Sequence, residues 1–174
     1  MNISSLEISE KIEIVKLELS DDVAFYGLIE ENRDFLSEYL SWVDSVYNQS
    51  STKEYLQKKL QSGLSGAQWF KILYQGQVSG LFGIKSIKDN TAELGYWISS
   101  SVQGRGVVSG IIKNIMPYLR DHYRVRSVEF RCLEDNLPSI AVAKRFGAQH
   151  VKTIPIYYKG NRDIRKLVVY AVAL

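Results

Sequence analysis

Apolar and polar positions along the chain follow two periods, and the changes between them outline its elements. From Ile12 to Leu19 they alternate, as in a strand with one buried face. Ser20-Asp21-Asp22 then offers an N-cap and acids that oppose the helix dipole, and Val23 to Glu31 reads as helix. Asn32 to Val43 continues after a break, with Phe35, Leu36, Tyr39 and Val43 at helical spacing. Ser51-Thr52-Lys53-Glu54 has the form of a capping box and predicts a helix carrying Leu56, Leu60 and Leu64 on one face.

Strand formers return at Ala67 to Tyr74 and Val78 to Lys85, with Gln75-Gly76 as a tight hairpin between them. Lys88-Asp89-Asn90 turns the chain into a third strand, Ala92 to Ser99. Gln103-Gly104-Arg105-Gly106 leads into an apolar-striped helix from Val107 to His122, with Val108, Ile111, Ile112, Ile115 and Leu119 forming the stripe. Pro117 removes a backbone donor and should kink that helix or end its regular part. Arg126 to Cys132 alternates again, with Val128, Phe130 and Cys132 on one face. Pro138 to Phe146 reads as a helix capped by Asn136. Strands His150 to Tyr158 and Leu167 to Ala173 close the chain around a Lys159-Gly160-Asn161 turn. The predicted architecture is α/β, with a mixed, mostly antiparallel sheet of about seven strands flanked by helices.

With 174 residues, 45% of them hydrophobic and 24% charged, the chain reads as one domain, 1–174, with a sizeable core. A net charge of +3 demands neither nucleic acid nor a membrane, and no basic stripe with interleaved aromatics is present. No apolar run approaches the roughly 20 residues that span a bilayer. One cysteine, Cys132, excludes an internal disulfide and fits a reducing, cytoplasmic setting. His122 and His150 have no metal-ligand spacing, so no metal is expected.

Chemistry concentrates between Glu93 and Gly147. A strand that runs through a glycine-rich turn into a helix presents free N–H groups and the positive end of the helix dipole, which suits a pyrophosphate. The turn is neither a P-loop nor a dinucleotide fingerprint, and by itself it is equally well a plain helix cap. The next strand-to-helix junction, Asn136-Leu137-Pro138-Ser139, adds a second group with the same orientation in the chain order.

Taken together, Glu93-Leu-Gly-Tyr-Trp-Ile98, Gln103-Gly-Arg-Gly-Val107 and Cys132-Leu-Glu-Asp-Asn136-Leu-Pro-Ser139 resemble the GNAT superfamily of acetyltransferases. Asn32-Arg-Asp-Phe-Leu36, Leu40-Ser-Trp-Val-Asp44 and Tyr157-Tyr-Lys-Gly160 are similar to its RimJ/RimL branch, which acetylates the N-termini of ribosomal proteins. The resemblance implies the GNAT fold and acetyl-CoA as cosubstrate. Gln103, Gly104, Arg105, Gly106, Val107 and Val108 would cradle the pyrophosphate, Ile98 and Asn136 would hold the pantetheine arm, and Lys144 would reach the phosphates. Ser139 would sit near the thioester sulfur as proton donor.

Glu93 is the candidate base, with Glu129 and Glu134 as alternatives; each is also an ordinary surface or cross-strand carboxylate. Some enzymes of the branch carry a glutamate where Ile156 stands, so any general-base role of that glutamate does not transfer. Val108 replaces a smaller residue. Cys132 is read as core packing before covalent nucleophile. Of Trp42, Trp69, Tyr96, Trp97, Tyr157 and Tyr158, mostly read as core, Trp42 and Tyr157 are the candidates to touch the acceptor. The acceptor is a protein N-terminus or a small amine such as a polyamine, an amino acid or an aminoglycoside; a domain that binds acetyl-CoA without transfer is the reading from another class. Homodimers occur in the branch.

Overall fold

A computed structural model describes residues 3–158 and 163–174; the Lys159-Gly160-Asn161 turn lies outside them. The strands β1 (Ser5–Ser9), β2 (Ile12–Lys16), β3 (Gln68–Tyr74), β4 (Gln77–Lys88), β5 (Thr91–Ile98), β6 (Ser127–Leu133), β7 (Gln149–Tyr158) and β8 (Asp163–Ala173) form one sheet in the order β1-β2-β3-β4-β5-β6-β8-β7. Every neighbouring pair is antiparallel except β5 and β6. The additional strand beyond the seven expected is β1, which pairs back on β2 with Leu6 opposite Ile14.

Five α-helices cover the faces: α1 (Asp22–Glu31), α2 (Arg33–Ser37), α3 (Gln49–Leu60), α4 (Val107–Tyr123) and α5 (Leu137–Arg145). Alternation along the strands divides their side chains between two cores. Phe82 and Leu94 join the stripe of α4 and Ala143 of α5, whereas Leu81 and Trp97 join Phe25, Ile29 and Leu56 from α1 and α3. None of these helices is long and apolar enough to cross a membrane.

Three local expectations change. The box that opens α3 is Asn48 with Ser51: Asn48 Oδ1 accepts from the Ser51 N–H at 2.8 Å, and Ser51 Oγ accepts from the Asn48 N–H at 3.0 Å. Helix α3 therefore begins before Ser51 and ends at Leu60; Leu56 is buried, but Leu60 and Leu64 are exposed. Pro117 does not end α4, which runs on to Tyr123. Pro117 lies on the exposed face, as does Lys113 one turn earlier, so the carbonyl left without its helical donor faces water.

Phe25 joins the helical layer to the sheet, packing edge-on against Trp97 with ring centroids 5.8 Å apart. Its side chain is fully buried. Phe25→Ala is expected to cost about 3–5 kcal/mol. A urea unfolding curve checks this: the midpoint falls with the m-value unchanged.

Candidate active site

Strands β5 and β6 start parallel and then part. Their register runs from Thr91 opposite Ser127 to Leu94 opposite Phe130 and stops there, although β5 continues to Ile98 and β6 to Leu133. Beyond that point β5 is paired on its β4 side alone, and Ser99 N–H donates to Ser79 O on that side. Backbone direction alternates along a strand, so the N–H and C=O of Tyr96 and Ile98 face the opening between β5 and β6. An extended amide-bearing chain can pair with that edge as an added strand.

After β5, Asn32 fixes the corner. Buried between the layers, its Oδ1 accepts from the Ser100 N–H at 2.9 Å and from the Ser99 and Ser100 hydroxyls, while its Nδ2 donates to Leu28 O. The chain then passes through Gly104 and Gly106, both at positive φ, into α4. The first N–H bonded back into the helix is that of Gly110, to Gly106 O. The preceding N–H groups of Val107, Val108 and Ser109 have no acceptor one turn back and point outward from the helix start.

A cavity of about 430 Å³ begins at this helix terminus and extends along the open edge of β5. Of the residues singled out in the sequence, Ile98, Gln103, Gly104, Gly106, Val107, Val108, Asn136 and Ser139 line it. Val108 is mostly buried in the α4 stripe, so its branched side chain packs inward. Arg105 does not line the cavity: its guanidinium donates to Ser101 O and lies over the Tyr74 ring. Nor does Lys144, whose ammonium lies over the Tyr170 ring. The basic residue of α5 at the cavity is Arg145, which donates to Ser109 Oγ at 2.6 Å. In a nine-residue helix, one position rotates a side chain by about 100°, and that rotation separates Lys144 from Arg145.

A second cavity, about 350 Å³, adjoins the first; Tyr96, Trp97, Asn136 and Ser139 line both. Its walls include Trp42 and Tyr157, the two aromatic residues expected there, together with Tyr55, Trp69, Cys132 and Ile156. Trp42 stacks on Tyr55 with ring centroids 4.2 Å apart. Arg33 fastens the 3-10 helix Ser41–Ser45 that carries Trp42, donating to Val43 O and Val46 O. Trp69 lies across β4 over Gly83, where even a β-carbon would come within 2.4 Å of the indole.

Among the described residues, the charges that line the second cavity are Lys59, Lys85 and Arg131, with no Asp or Glu. Glu93 lies outside both linings. It is largely covered and held by Lys85 and by Arg131, whose Nε is 3.5 Å away. Glu129 is likewise paired with Arg131, and Glu134 with Lys166.

At the junction the Ser139 hydroxyl lies beside the Tyr96 phenol. Burial pushes the Tyr96 phenol up to about 12; the Ser139 hydroxyl opposes that rise, and the neighbouring Cys132 thiol adds to it. Tyr96 thus stays protonated at neutral pH. Sequence reasoning placed this residue in the core, because its partner Ser139 comes from a segment 43 residues away. Asn136 Oδ1 accepts from the Ser139 N–H at 3.2 Å and so sets the first turn of α5 against β5.

Cys132 is half-buried, and burial, with Asp135 adding to it, pushes its thiol up to about 11. It is a poor nucleophile at neutral pH, where the thiolate is scarce. Cys132→Ala is expected to keep kcat within about threefold, since the nucleophile in direct transfer is the acceptor itself. Alkylation of the free protein should be slow at pH 7 and accelerate as the pH climbs toward 11.

The residues present fit a coenzyme A thioester. Glycines without side chains and three outward N–H groups would suit the pyrophosphate, and the β5 edge would suit the two amides of the pantetheine arm. No cluster of His, Cys, Asp and Glu suited to a metal ion occurs among the described residues.

Residues 11–149 match the acetyltransferase (GNAT) domain family. The chain is 27% identical over 146 residues to the ribosomal-protein-serine acetyltransferase of Escherichia coli (strain K12), covering 82% of each protein. Among solved structures it is similar to RimL, a ribosomal-protein alpha-N-acetyltransferase in complex with coenzyme A, at a TM-score of 0.88, 25% identity and 98% coverage of both chains. The microcin self-immunity acetyltransferase MccE, in complex with acetyl-CoA and AMP, shares the fold at a TM-score of 0.88 and 21% identity, with 99% of this chain and 98% of that one covered. A helix terminus suited to a pyrophosphate, a half-paired strand edge beside it and a family match over most of the sequence agree: the chain belongs to the GNAT family and is an acetyl-CoA-dependent N-acetyltransferase.

Proposed function

We propose that the acceptor is the α-amine at the N-terminus of a protein, such as a ribosomal protein. The observation that carries this reading is the lining of the second cavity, which meets the first at Ser139 and Tyr96 and holds three cations with no Asp or Glu among its described residues. A polyamine or aminoglycoside would bring several positive charges into that cavity at a Coulombic cost. An N-terminal amine brings one ionisable nitrogen of pKa about 8, against about 10.4 for lysine, so a useful fraction is already neutral at pH 7–8. The nearby cations lower that pKa further. The names of the relatives described above point the same way, and a ribosomal acceptor places the enzyme in the cytoplasm. We read residues 1–174 as a single catalytic domain.

On this reading the thioester supplies the activated acyl group, and the protein positions it. Gly104, Gly106 and the N–H groups of Val107 to Ser109 hold the phosphates. The N–H groups of Tyr96 and Ile98 bind the arm and polarise the carbonyl where negative charge builds up. The neutral amine attacks directly; a C–N bond forms as the C–S bond breaks. The amine gives up one proton and the departing sulfur takes one, so no net proton is consumed. Ser139, beside Tyr96, donates a hydrogen bond to the sulfur and passes it a proton, and the proton that the amine gives up restores the hydroxyl. Glu93, tied to Lys85 and Arg131, is assigned no proton transfer.

The test is thiol release from acetyl-CoA with serine- and alanine-initiated peptides, lysine peptides, spermidine and an aminoglycoside. The peptides with free α-amines are expected to turn over at least about tenfold faster than the polycations. Faster turnover of spermidine or the aminoglycoside would overturn the assignment.

A further inference from the structure

Lys59 stands apart from the other two cations of the acceptor cavity. Lys85 is paired with Glu93, and Arg131 with Glu129 and Glu93. Lys59, from α3, has no carboxylate partner among the described residues. Its ammonium lies 4.6 Å from the centre of the Trp69 ring and 5.2 Å from that of Tyr55. Those rings seat the charge in a fixed place, half-buried, and Trp69 is itself set by its close approach to Gly83. Such a site is poised for an anion: a cation already stripped of part of its water and left without a counter-charge gains most from a ligand that brings one.

We propose that Lys59 selects the acceptor by pairing with an acidic side chain close behind the amine that is acetylated. The inference rests on the reading of the acceptor as a protein N-terminus. A cavity of about 350 Å³ is roughly 9 Å across, and an extended chain advances about 3.3 Å per residue. The amine must reach Ser139 and Tyr96 at one end, so the carboxylate belongs to an Asp or Glu at the second or third position. Trp42 and Tyr157 would flank the peptide between these two points.

Charge state gives an independent readout. Burial, and then the charge of Lys85, lower the Lys59 pKa to about 8. Facing it are Lys85 from β4, Arg131 from β6 and Tyr55 from its own helix; burial keeps the Tyr55 phenol protonated. Lys59 is therefore charged below pH 8 and neutral above it, so a preference that depends on its charge is present at pH 7 and fades as the pH rises through about 8. Titration of the peptide amine cancels when an acidic and a neutral peptide are compared at the same pH.

The experiment measures kcat/KM for three serine-initiated peptides that carry Asp, Ala or Lys at positions two and three, with wild type, Lys59→Gln and Lys59→Arg. Wild type is expected to favour the Asp over the Ala peptide by about tenfold at pH 7 and by less than about threefold at pH 9. Lys59→Gln should lose the preference, turning over the Asp and Ala peptides at rates within about twofold of each other, and Lys59→Arg should retain it at both pH values. Equal rates for Asp and Ala peptides in wild type, or an unchanged preference in Lys59→Gln, would overturn the assignment and leave the peptide reading standing. Absence of turnover with every peptide would overturn both.

Discussion

Ser139→Ala is expected to lower kcat about 100-fold, with the dissociation constant for acetyl-CoA changed less than about threefold. The hydroxyl lies where the two cavities meet, beside Tyr96, whose phenol is held protonated by burial. When the C–S bond breaks, charge appears on sulfur within a largely apolar wall, and a donor already oriented there needs no reorganisation. The loss therefore falls on kcat and not on binding of the cosubstrate. Tyr96→Phe removes the phenol beside the hydroxyl but leaves the hydroxyl itself, so a smaller fall, of about tenfold, is expected. Steady-state kinetics beside calorimetry separates the two quantities. An unchanged kcat in Ser139→Ala would remove Ser139 from the chemistry.

Gly106→Val addresses the other end of the cosubstrate, and its effect should be as large but of the opposite kind. Gly106 has φ +74° and caps α4. A valine there carries a backbone penalty of about 1–2 kcal/mol and thrusts an isopropyl group over the helix terminus. No protein atom lies within 4 Å of its added β-carbon, so the crowding falls on the phosphates. Affinity for acetyl-CoA should drop about 100-fold, the equivalent of about 2.7 kcal/mol. Gly76 in the β3–β4 hairpin is the control: its φ is +77° with equally open surroundings. Gly76→Val shares the backbone strain and should melt a few degrees lower while binding acetyl-CoA normally. Equal losses of affinity in the two variants would mean that strain, and not the phosphate cradle, governs the effect.

The sequence and the structure agree where one element's own periodicity decides the outcome. The α4 stripe, the β3–β4–β5 meander and the Asn136 cap were readable because each depends on residues a few positions apart. Strand β1 was missed because Ser5–Ser9 is short and its turn at Glu10-Lys11 carries none of the usual Gly or Asn signals. At the cofactor site the glycines, Asn136 and Ser139 were legible as a linear motif. Lys144 is the basic residue expected near the phosphates, whereas Arg145 lines the cavity, because a motif fixes a segment but not the rotation of a short helix. The acceptor site was the least legible. Lys59, Trp69, Lys85 and Arg131 come from four separate elements, and only the sheet register and the seat of α3 bring them to one cavity. Glu93 shows the converse: its position in the motif survives, yet two cross-strand cations occupy it.

The central claim is that acetyl donor and acceptor amine occupy two cavities that meet at Ser139 and Tyr96. The most direct measurement is a crystal structure with a bisubstrate analogue, coenzyme A joined through an acetyl bridge to the α-amine of a serine-aspartate peptide. The pyrophosphate should lie on the N–H groups of Val107 to Ser109, the sulfur beside Ser139, and the peptide between Trp42 and Tyr157 with its aspartate at Lys59. An analogue whose peptide runs outside the second cavity, or whose sulfur lies away from Ser139 and Tyr96, would contradict the account.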